Sequence, residues 1–396
     1  MRLFEESTIA GMTLKNRIIR SATHEGMGNP DGYLLEDLKK LYFRLAKGGI
    51  GAIITGYASV HKSGKTLKNM RMFDDDRYIE SYHTLNQEMR QYKVPVICQI
   101  AHGGIQTTTG VTGMDVVAPS AFQSKVYKNQ ARELTESEIR EIIDSFAKAV
   151  KRSKEAGFDG VQFHCAHGYL LYEFLSPYTN KRKDKWGGTT ENRFRIMAEI
   201  IDEARNLVGE YPLMVKLTTH EGHKNGIDLN EGIKLSELFQ KKGIDALEVS
   251  CGGVDDGFNT VRVPELPMEA MLHFFPGMNN LSSFQKMVTK IITPLLVKKH
   301  KPYRMFNVSA AKSIKKHIDI PVIVVGGIRS LEEMTSIIEN EQSDYISLCR
   351  PLIIEPNLVD KLKEGKQKES KCIDCAFCLM GVISNQLRCY YGKINR

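Results

Sequence analysis

The sequence lacks the features of a secreted or membrane-spanning protein. Its first residues, MRLFEEST, have neither the basic stretch nor the apolar core of a secretory signal. No apolar run approaches the ~18 residues that a spanning helix needs. From these absences we expect a cytoplasmic protein with no membrane partner.

The chain also has little net charge. The 396-residue chain has a net charge of only +8, and its Lys and Arg residues are scattered rather than gathered into a stripe with interleaved aromatic residues. We therefore expect no nucleic-acid partner. The short basic run at 298–301 is interpreted as a solvated loop. A mild positive field does suit anionic small molecules such as phosphates.

Cysteine is unevenly placed. Four of the eight cysteines stand singly in apolar runs and are expected to be buried, inert thiols: Cys98, Cys165, Cys251 and Cys349. The other four form a C-x2-C-x2-C-x10-C cluster: Cys372, Cys375, Cys378 and Cys389. Without a secretion signal, such clustering favours metal over disulfides. Three thiols at intervals of three with a distant fourth favour an iron–sulfur centre over structural zinc, which typically takes two separated C-x2-C pairs. A cluster without metal is the third alternative.

Short apolar runs alternate with helical patterns along the whole chain, which predicts an α/β fold. The helical segments include two capping boxes, opened by Thr135 and Ser330. Eight candidate strands are near-continuous apolar runs, as expected for parallel strands covered on both faces. They are Arg17–Thr23, Gly51–Tyr57, Pro95–Ala101, Gly160–Ala166, Leu213–Thr219, Ala246–Gly252, Pro321–Gly327 and Asp344–Arg350.

Polar residues follow nearly every candidate strand at the same end. In a (β/α)8 TIM barrel, functional residues collect at the carboxyl ends of the strands, whereas an open sheet concentrates them at one crevice. The sequence therefore predicts a TIM barrel over residues 1–360. Residues 361–396 are predicted to be a linker and a short C-terminal extension that carries the cysteine cluster. Two long connections, roughly 103–134 and 254–306, are expected to be lids or inserted subdomains.

Several of these polar residues suit particular chemistry. A turn with Gly326 and Gly327, paired with Arg350 at the next strand end, predicts a phosphate site. His164 and His167 form a His-x-x-His pair without a matching third ligand. They are interpreted as donors that stabilise negative charge on a carbonyl oxygen, with two core histidines as the alternative. Tyr169 follows as a candidate general acid. Lys216, inside an apolar strand, is expected either to snorkel or to face an anion.

These segments together resemble a known family. The chain resembles the Old Yellow Enzyme family of FMN-dependent NADH:flavin oxidoreductases and ene-reductases. The resemblance rests on LKNRIIRSAT, GAIITGYASV, CQIAHGG, FHCAHGYLLYEFLSPYTNKRKDKWGGTTENR, MVKLT, VGGIRS and LCRP. The cysteine tail is similar to that of the branch containing 2,4-dienoyl-CoA reductase and trimethylamine dehydrogenase. In that branch the cluster holds a [4Fe–4S] centre.

The resemblance implies a role for each matching residue. Gln99 and Lys216 are expected at the flavin pyrimidine edge, and His24 beside flavin C4a and O4. The remaining residues expected against FMN are Ser21, Ala22, Thr23 and Tyr57 along the ring and Gly326, Gly327, Cys349 and Arg350 at the phosphate. His164 and His167 are expected to hold the substrate oxygen, and Tyr169 to be the proton donor.

The activity that the resemblance implies is reduction of the C=C bond of an α,β-unsaturated carbonyl compound by hydride from FMN. NAD(P)H is a possible electron donor, and the iron–sulfur centre is expected to exchange electrons with a ferredoxin or a separate reductase. The nearest alternative is an amine dehydrogenase or demethylase that passes electrons outward. Two further alternatives are an aldolase or lyase with Lys216 as the Schiff-base nucleophile and a non-catalytic electron-transfer or scaffold protein.

Overall fold

Eight parallel strands form a closed barrel in the computed structural model, which describes residues 1–275, 277–296 and 301–394. Each strand pairs with the next along the chain, and the last pairs with the first. The predicted TIM barrel is therefore confirmed. The barrel strands are β1 Ile18–Arg20, β2 Ala52–Ile54, β3 Val96–Ala101, β4 Gly160–Cys165, β5 Leu213–Thr218, β6 Ala246–Ser250, β7 Val322–Val325 and β8 Tyr345–Leu348.

A helix covers each crossover between successive strands. The crossover helices are Glu36–Lys47, Ile79–Met89, Glu136–Glu155, Thr190–Val208, Leu229–Lys241, Val308–Ile314 and Leu331–Glu339. Both predicted capping boxes are present, because the Thr135 and Ser330 side chains accept from the amides of Glu138 and Glu333 and both glutamates return the bond. These reciprocal bonds satisfy amides that the first helical turn leaves without partners.

Strand periodicity decides which side chains enter the barrel. In β4, Gln162 hydrogen-bonds across the interior, whereas Cys165 packs outward against Met197 of a covering helix. Successive strand residues point to opposite faces, so Gln162 and His164 share the inner face. A mostly apolar strand therefore contributes its two polar side chains to the interior.

The amino end of the barrel is closed by an antiparallel hairpin of Ser7–Ile9 and Met12–Leu14. It packs in one apolar cluster with interior residues of the barrel strands, among them Ile97, Met214 and Ile323. Because this end is filled by apolar side chains, the polar interior opens toward the carboxyl ends of the strands.

The two long connections contain structure of their own. The first holds the short helix Thr109–Thr112 and three strands, Val117–Ala118, Phe122–Gln123 and Gln130–Glu133. The second holds the helices Met268–Phe274 and Ser283–Leu296. None of the helices within the described residues is both long enough and apolar enough to cross a bilayer.

The segment after β8 begins with the helices Arg350–Ile354 and Leu358–Lys363. The boundary predicted between residues 360 and 361 falls inside the second of these, and Leu362 is buried. The barrel packing thus continues a few residues beyond the predicted boundary. A last short helix, Phe377–Gly381, lies within the cysteine segment.

Candidate functional site

A network of polar side chains crosses the middle of the barrel. Its centre is Glu248 in β6, which is fully buried. The carboxylate accepts hydrogen bonds from Ser21 Oγ at 2.7 Å and Ser347 Oγ at 2.6 Å. It also accepts from Gln162 Nε2 at 2.8 Å, and Gln162 Oε1 accepts from Gln99 Nε2 at 2.7 Å. The network links five side chains from five different strands or strand ends.

Lys216 completes this network. Its Nζ donates to Ser21 Oγ at 2.8 Å and lies 3.3 Å from Glu248 Oε1. The sequence predicted that the buried ammonium would snorkel or face an anion, and the anion in the structure is a carboxylate of the barrel itself. A Schiff-base role for Lys216 would require both contacts to break, so the structure does not favour the aldolase alternative.

Five ring side chains lie together at the carboxyl ends of the strands. The His164 ring centroid is 4.5 Å from that of Tyr169 and 5.1 Å from that of His167. Tyr57 is 5.1 Å from Tyr169, and its other neighbour, His24, is stacked on it at 5.0 Å. The structure therefore brings together the predicted substrate pair, the predicted proton donor and two predicted flavin neighbours.

The turn after β4 fixes this arrangement. His167 has a left-handed φ of 62°, and its amide donates to Thr218 Oγ1 at 3.1 Å. Its Nε2 lies 2.7 Å from Ser250 Oγ. The next residue, Gly168, also has a positive φ, and a Cβ there would meet the Val254 Cα at 2.5 Å. Tyr169 then precedes the helix Leu170–Leu175, so a strained turn between two regular elements aims the three side chains.

Burial sets the protonation of the cluster. It lowers the pKa of His167 to about 3, with Lys216 adding to the effect, and it lowers the pKa of His164 well below the usual range. Both imidazoles are therefore neutral near pH 7, and each keeps one N–H donor. Burial and the neighbouring Tyr57 raise the pKa of Tyr169 well above its usual value. The phenol therefore retains its proton until a base forms beside it.

Two nitrogens of the cluster lack hydrogen-bond partners within the described residues. They are Nδ1 of His164 and Nε2 of His24, both buried. A buried polar atom without a partner is costly, and a ligand with polar ring atoms beside them would satisfy both nitrogens. A flavin ring offers carbonyl oxygens and ring nitrogens to such groups, and the amide of Gln99 and the ammonium of Lys216 suit its pyrimidine edge. The residues present fit FMN.

At the predicted phosphate end, the glycine turn is present, whereas the predicted arginine already has protein partners. Gly326 and Gly327 both have positive φ values, 134° and 67°, which form the tight turn expected after β7. Arg350 has protein partners: its Nη2 donates to the Val261 carbonyl at 2.9 Å and lies 3.3 Å from Asp374 Oδ1. The guanidinium thus ties the end of β8 to the cysteine segment, a contact that the sequence did not indicate.

The residues after β1 lie beside this end. Thr23 Oγ1 is 3.0 Å from both the Ser21 carbonyl and Cys349 Sγ. Ala22, between them, is half-buried against the interior apolar cluster. Cys349 also lines a cleft of about 230 Å³ together with Arg20, Arg388 and Cys389. Cys349 thus lies between the residues after β1 and a cysteine of the tail.

The cysteine segment is anchored to the barrel through Asp374, which lies between Cys372 and Cys375. Asp374 is buried and pairs with both Arg329, at 3.1 Å, and Arg350. All four clustered thiols are free, so no disulfide competes for them. Within residues 1–275, 277–296 and 301–394, no three His, Cys, Asp or Glu side chains are grouped as a metal site. Four free thiols suit a thiolate-bound centre. That they come together around one metal centre stays a prediction.

Sequence reasoning missed the partners of the predicted residues. Glu248 and Ser250 lie in ALEVS, and Gln162 lies in GVQFHC; all three share the inward parity of their strands. That parity was the available signal, because polar residues at alternate positions of an apolar strand point to one face.

Comparisons with known proteins identify the family. The profile of the NADH:flavin oxidoreductase / NADH oxidase family matches residues 2–256 and 280–369. An NADH oxidase from Thermoanaerobacter brockii is 34% identical over 391 residues, which cover 98% of this chain and 54% of that protein. An NADPH dehydrogenase from Bacillus subtilis (strain 168) is 29% identical over 90% of this chain and 92% of its own length.

A solved structure shares the fold. A 2-naphthoyl-CoA reductase in complex with 2-naphthoyl-CoA superposes with a TM-score of 0.82 at 23% identity, over 98% of this chain and 56% of that one. The chain thus spans about half the length of this reductase and of the NADH oxidase. The predicted resemblance is confirmed at the level of the family, for which FMN and NAD(P)H are the implied cofactors. This chain belongs to the NADH:flavin oxidoreductase / NADH oxidase family.

Proposed function

We propose that this chain reduces the C=C bond of small α,β-unsaturated carbonyl compounds. The observation that carries the proposal is the packing of two neutral imidazoles and one protonated phenol at the mouth of the barrel, where the His164 ring lies 5.1 Å from that of His167 and 4.5 Å from that of Tyr169. Neutral N–H donors directed at one oxygen and a nearby proton donor are the groups that conjugate reduction requires from the protein.

FMN, when bound in its reduced form, supplies the hydride that the β-carbon receives. His164 and His167 donate hydrogen bonds to the substrate carbonyl oxygen and stabilise the negative charge that develops there. Tyr169 gives its phenolic proton to the α-carbon, and solvent then restores that proton. Gln99, Lys216 and the Ser21–Thr23 backbone would hold the flavin ring, while the Gly326–Gly327 turn would approach its phosphate.

Removing the proton donor tests the proposal. Tyr169→Phe is expected to lower the rate of enone reduction by roughly 10²–10⁴-fold while leaving flavin content unchanged, because only the proton transfer is lost. His164→Ala is expected to cost roughly 10²–10³-fold, since one donor to the developing charge disappears. The measurement is the single-turnover reoxidation of the reduced protein by a cyclic enone.

Tyr92→Phe is the matched control, because this tyrosine precedes β3 at the opposite end of the barrel. It should leave the rate unchanged. Wild-type turnover of enones by the Tyr169 and His164 variants would show the role assignment to be wrong. Turnover of secondary or tertiary amines, with enones untouched, would favour the amine dehydrogenase alternative.

We also propose that Cys372, Cys375, Cys378 and Cys389 hold a [4Fe–4S] centre that passes electrons between the flavin and an outside donor, a ferredoxin or a separate reductase. What supports it is the four free thiols and the salt bridges of Asp374, which hold their segment against the ends of β7 and β8. Protein purified without oxygen is expected to contain about four iron and four sulfide per chain. Cys375→Ser should lose both, Cys165→Ala neither, and stoichiometric zinc in place of iron would contradict the proposal.

A further inference from the structure

One helix in the connection after β6 turns its apolar side outward. Every described side chain from Ser283 to Leu295 is exposed or only half-buried. Five large apolar residues are exposed: Phe284 69%, Met287 53%, Ile291 63%, Ile292 47% and Leu295 81%. Burying such side chains is the usual reason for a helix to pack on a barrel, and this helix does the opposite.

The spacing of these residues makes a single apolar face. Phe284, Met287, Ile291 and Leu295 follow one another at intervals of three and four, which places them along one side of a helix. Thr289 and Thr293, on the other side, are half-buried. The polar side therefore faces the protein body and the apolar side faces away from it.

The start of the helix is well defined. The Ser282 amide donates to Gln285 Oε1 at 2.9 Å, and the Gln285 amide donates to Ser282 Oγ at 3.3 Å. This reciprocal pair is the geometry of a capping box. The outward apolar face thus belongs to a regular, capped helix.

The sequence around the helix carries an excess of positive charge, of which Arg304 and Lys315 pair with carboxylates elsewhere in the chain. Between Glu269 and Asp319 the sequence contains no Asp or Glu and nine Lys or Arg, one more than the net charge of +8 of the whole protein. Lys286 and Lys290 lie on the helix and make no ion pair with any described residue. The basic run 298–301 follows directly in sequence. The rest of the chain is close to neutral.

We propose that the helix Ser283–Leu296 lies in the surface of an anionic lipid bilayer. Its apolar side chains would enter the acyl boundary, and the lysines would remain at the anionic headgroups. An in-plane amphipathic helix with a basic polar side has this chemistry, and it needs no spanning segment. The sequence-based expectation of no membrane partner considered only spanning segments.

A second copy of the chain fits this surface less well. An isologous dimer on this face would bring two basic, acid-free segments against each other, and like charges at an interface are unfavourable. A bilayer rich in anionic headgroups supplies both the apolar environment and the opposite charge. The inference rests on this helix alone and is independent of the proposed reaction.

Vesicle flotation tests the inference with the intact chain. The protein is expected to float with phosphatidylcholine vesicles containing about a quarter phosphatidylglycerol, to bind pure phosphatidylcholine at least about tenfold more weakly, and to be released as salt is raised. The double variant Ile291→Glu/Leu295→Glu should reduce the partition by at least about tenfold, because it places charge in the acyl boundary. Leu207→Glu, at another exposed apolar site on a barrel helix, should bind as the wild type does.

Circular dichroism and the thermal midpoint establish that each variant is folded. Failure of the wild type to bind anionic vesicles would overturn the inference. Equal flotation of the double variant would overturn it as well, because another surface would then be responsible. A dimer in light scattering that Ile291→Glu/Leu295→Glu dissociates, without vesicle binding, would assign the face to a second copy instead.

Discussion

Glu248 and Lys216 form a charged pair inside the barrel, at 3% exposure or less on both sides. Their environment decides what a substitution does. Three neutral side chains also donate hydrogen bonds to Glu248. These bonds stabilise the carboxylate independently of the lysine. Among the described residues, the Lys216 ammonium has two polar partners, Ser21 and Glu248. The lysine therefore depends on the glutamate more than the glutamate depends on the lysine.

Glu248→Gln is expected to destabilise the fold by about 3–5 kcal/mol, because it leaves a buried ammonium without its counter-charge. The double variant Lys216→Met/Glu248→Gln should recover most of that loss, since no unpaired charge remains. The measurement is the free energy of unfolding from urea titration. A single variant as stable as the wild type would show that the pair is not energetically coupled in the folded state.

Whether a site residue could be predicted from the sequence depended on its position in the strand pattern. His164, His167, Tyr169 and Lys216 were identified because each interrupts or ends an apolar run. The sequence predicted that these residues lie at the same end of the barrel, because strand ends converge there. It did not predict which of them contact one another. The partner of Lys216 was missed because the sequence does not show that Glu248 lies opposite it on the next strand. Pairing across strands depends on register, which forms in three dimensions.

The elements themselves were predicted well, with strands that proved shorter than expected. β1 ends at Arg20 rather than Thr23, and β7 ends at Val325 rather than Gly327. The residues lost from the strands are those assigned to FMN. They leave the ladder because their backbone follows the turn that lines the site, and periodicity alone does not separate a strand from the turn that follows it.

The helix Glu136–Glu155 offers a test at this scale. A hydrogen bond from Arg132, with the capping contacts of Thr135, lowers the pKa of Glu138 to about 2. A depressed carboxyl pKa stabilises the fold above its unfolded value of about 4.5, and this contribution is lost as the pH falls toward about 2. Glu138→Gln should therefore lower the urea midpoint at about pH 7 and lose most of this effect at about pH 2.

Glu237→Gln is the matched control, because Glu237 is an exposed glutamate in the middle of another barrel helix. Its effect on the midpoint should be small at both pH values. Thr135→Ala, which removes the other half of the capping box, is expected to cost about 1 kcal/mol. An effect of Glu138→Gln that is equal at both pH values would show that its charge does not contribute.

At the scale of the whole molecule, barrel closure could be predicted because eight strand-like runs carry polar residues at the same end. The apolar hairpin that fills the opposite end was not predicted, since two three-residue strands give too short a pattern to detect. The contacts of Arg329 and Arg350 with Asp374 were not predicted either. They join segments that are distant in sequence, and only the folded barrel brings them together.

The account depends on the carboxyl end of the barrel binding FMN, and the most direct measurement is the absorption spectrum of the purified chain, taken without oxygen and again after addition of FMN and gel filtration. We expect about one FMN per chain, with a visible spectrum shifted from that of free FMN because the ring enters a buried site. Lys216→Met/Glu248→Gln, if folded, should retain less. A folded wild-type protein that stays free of flavin in excess FMN would contradict the account.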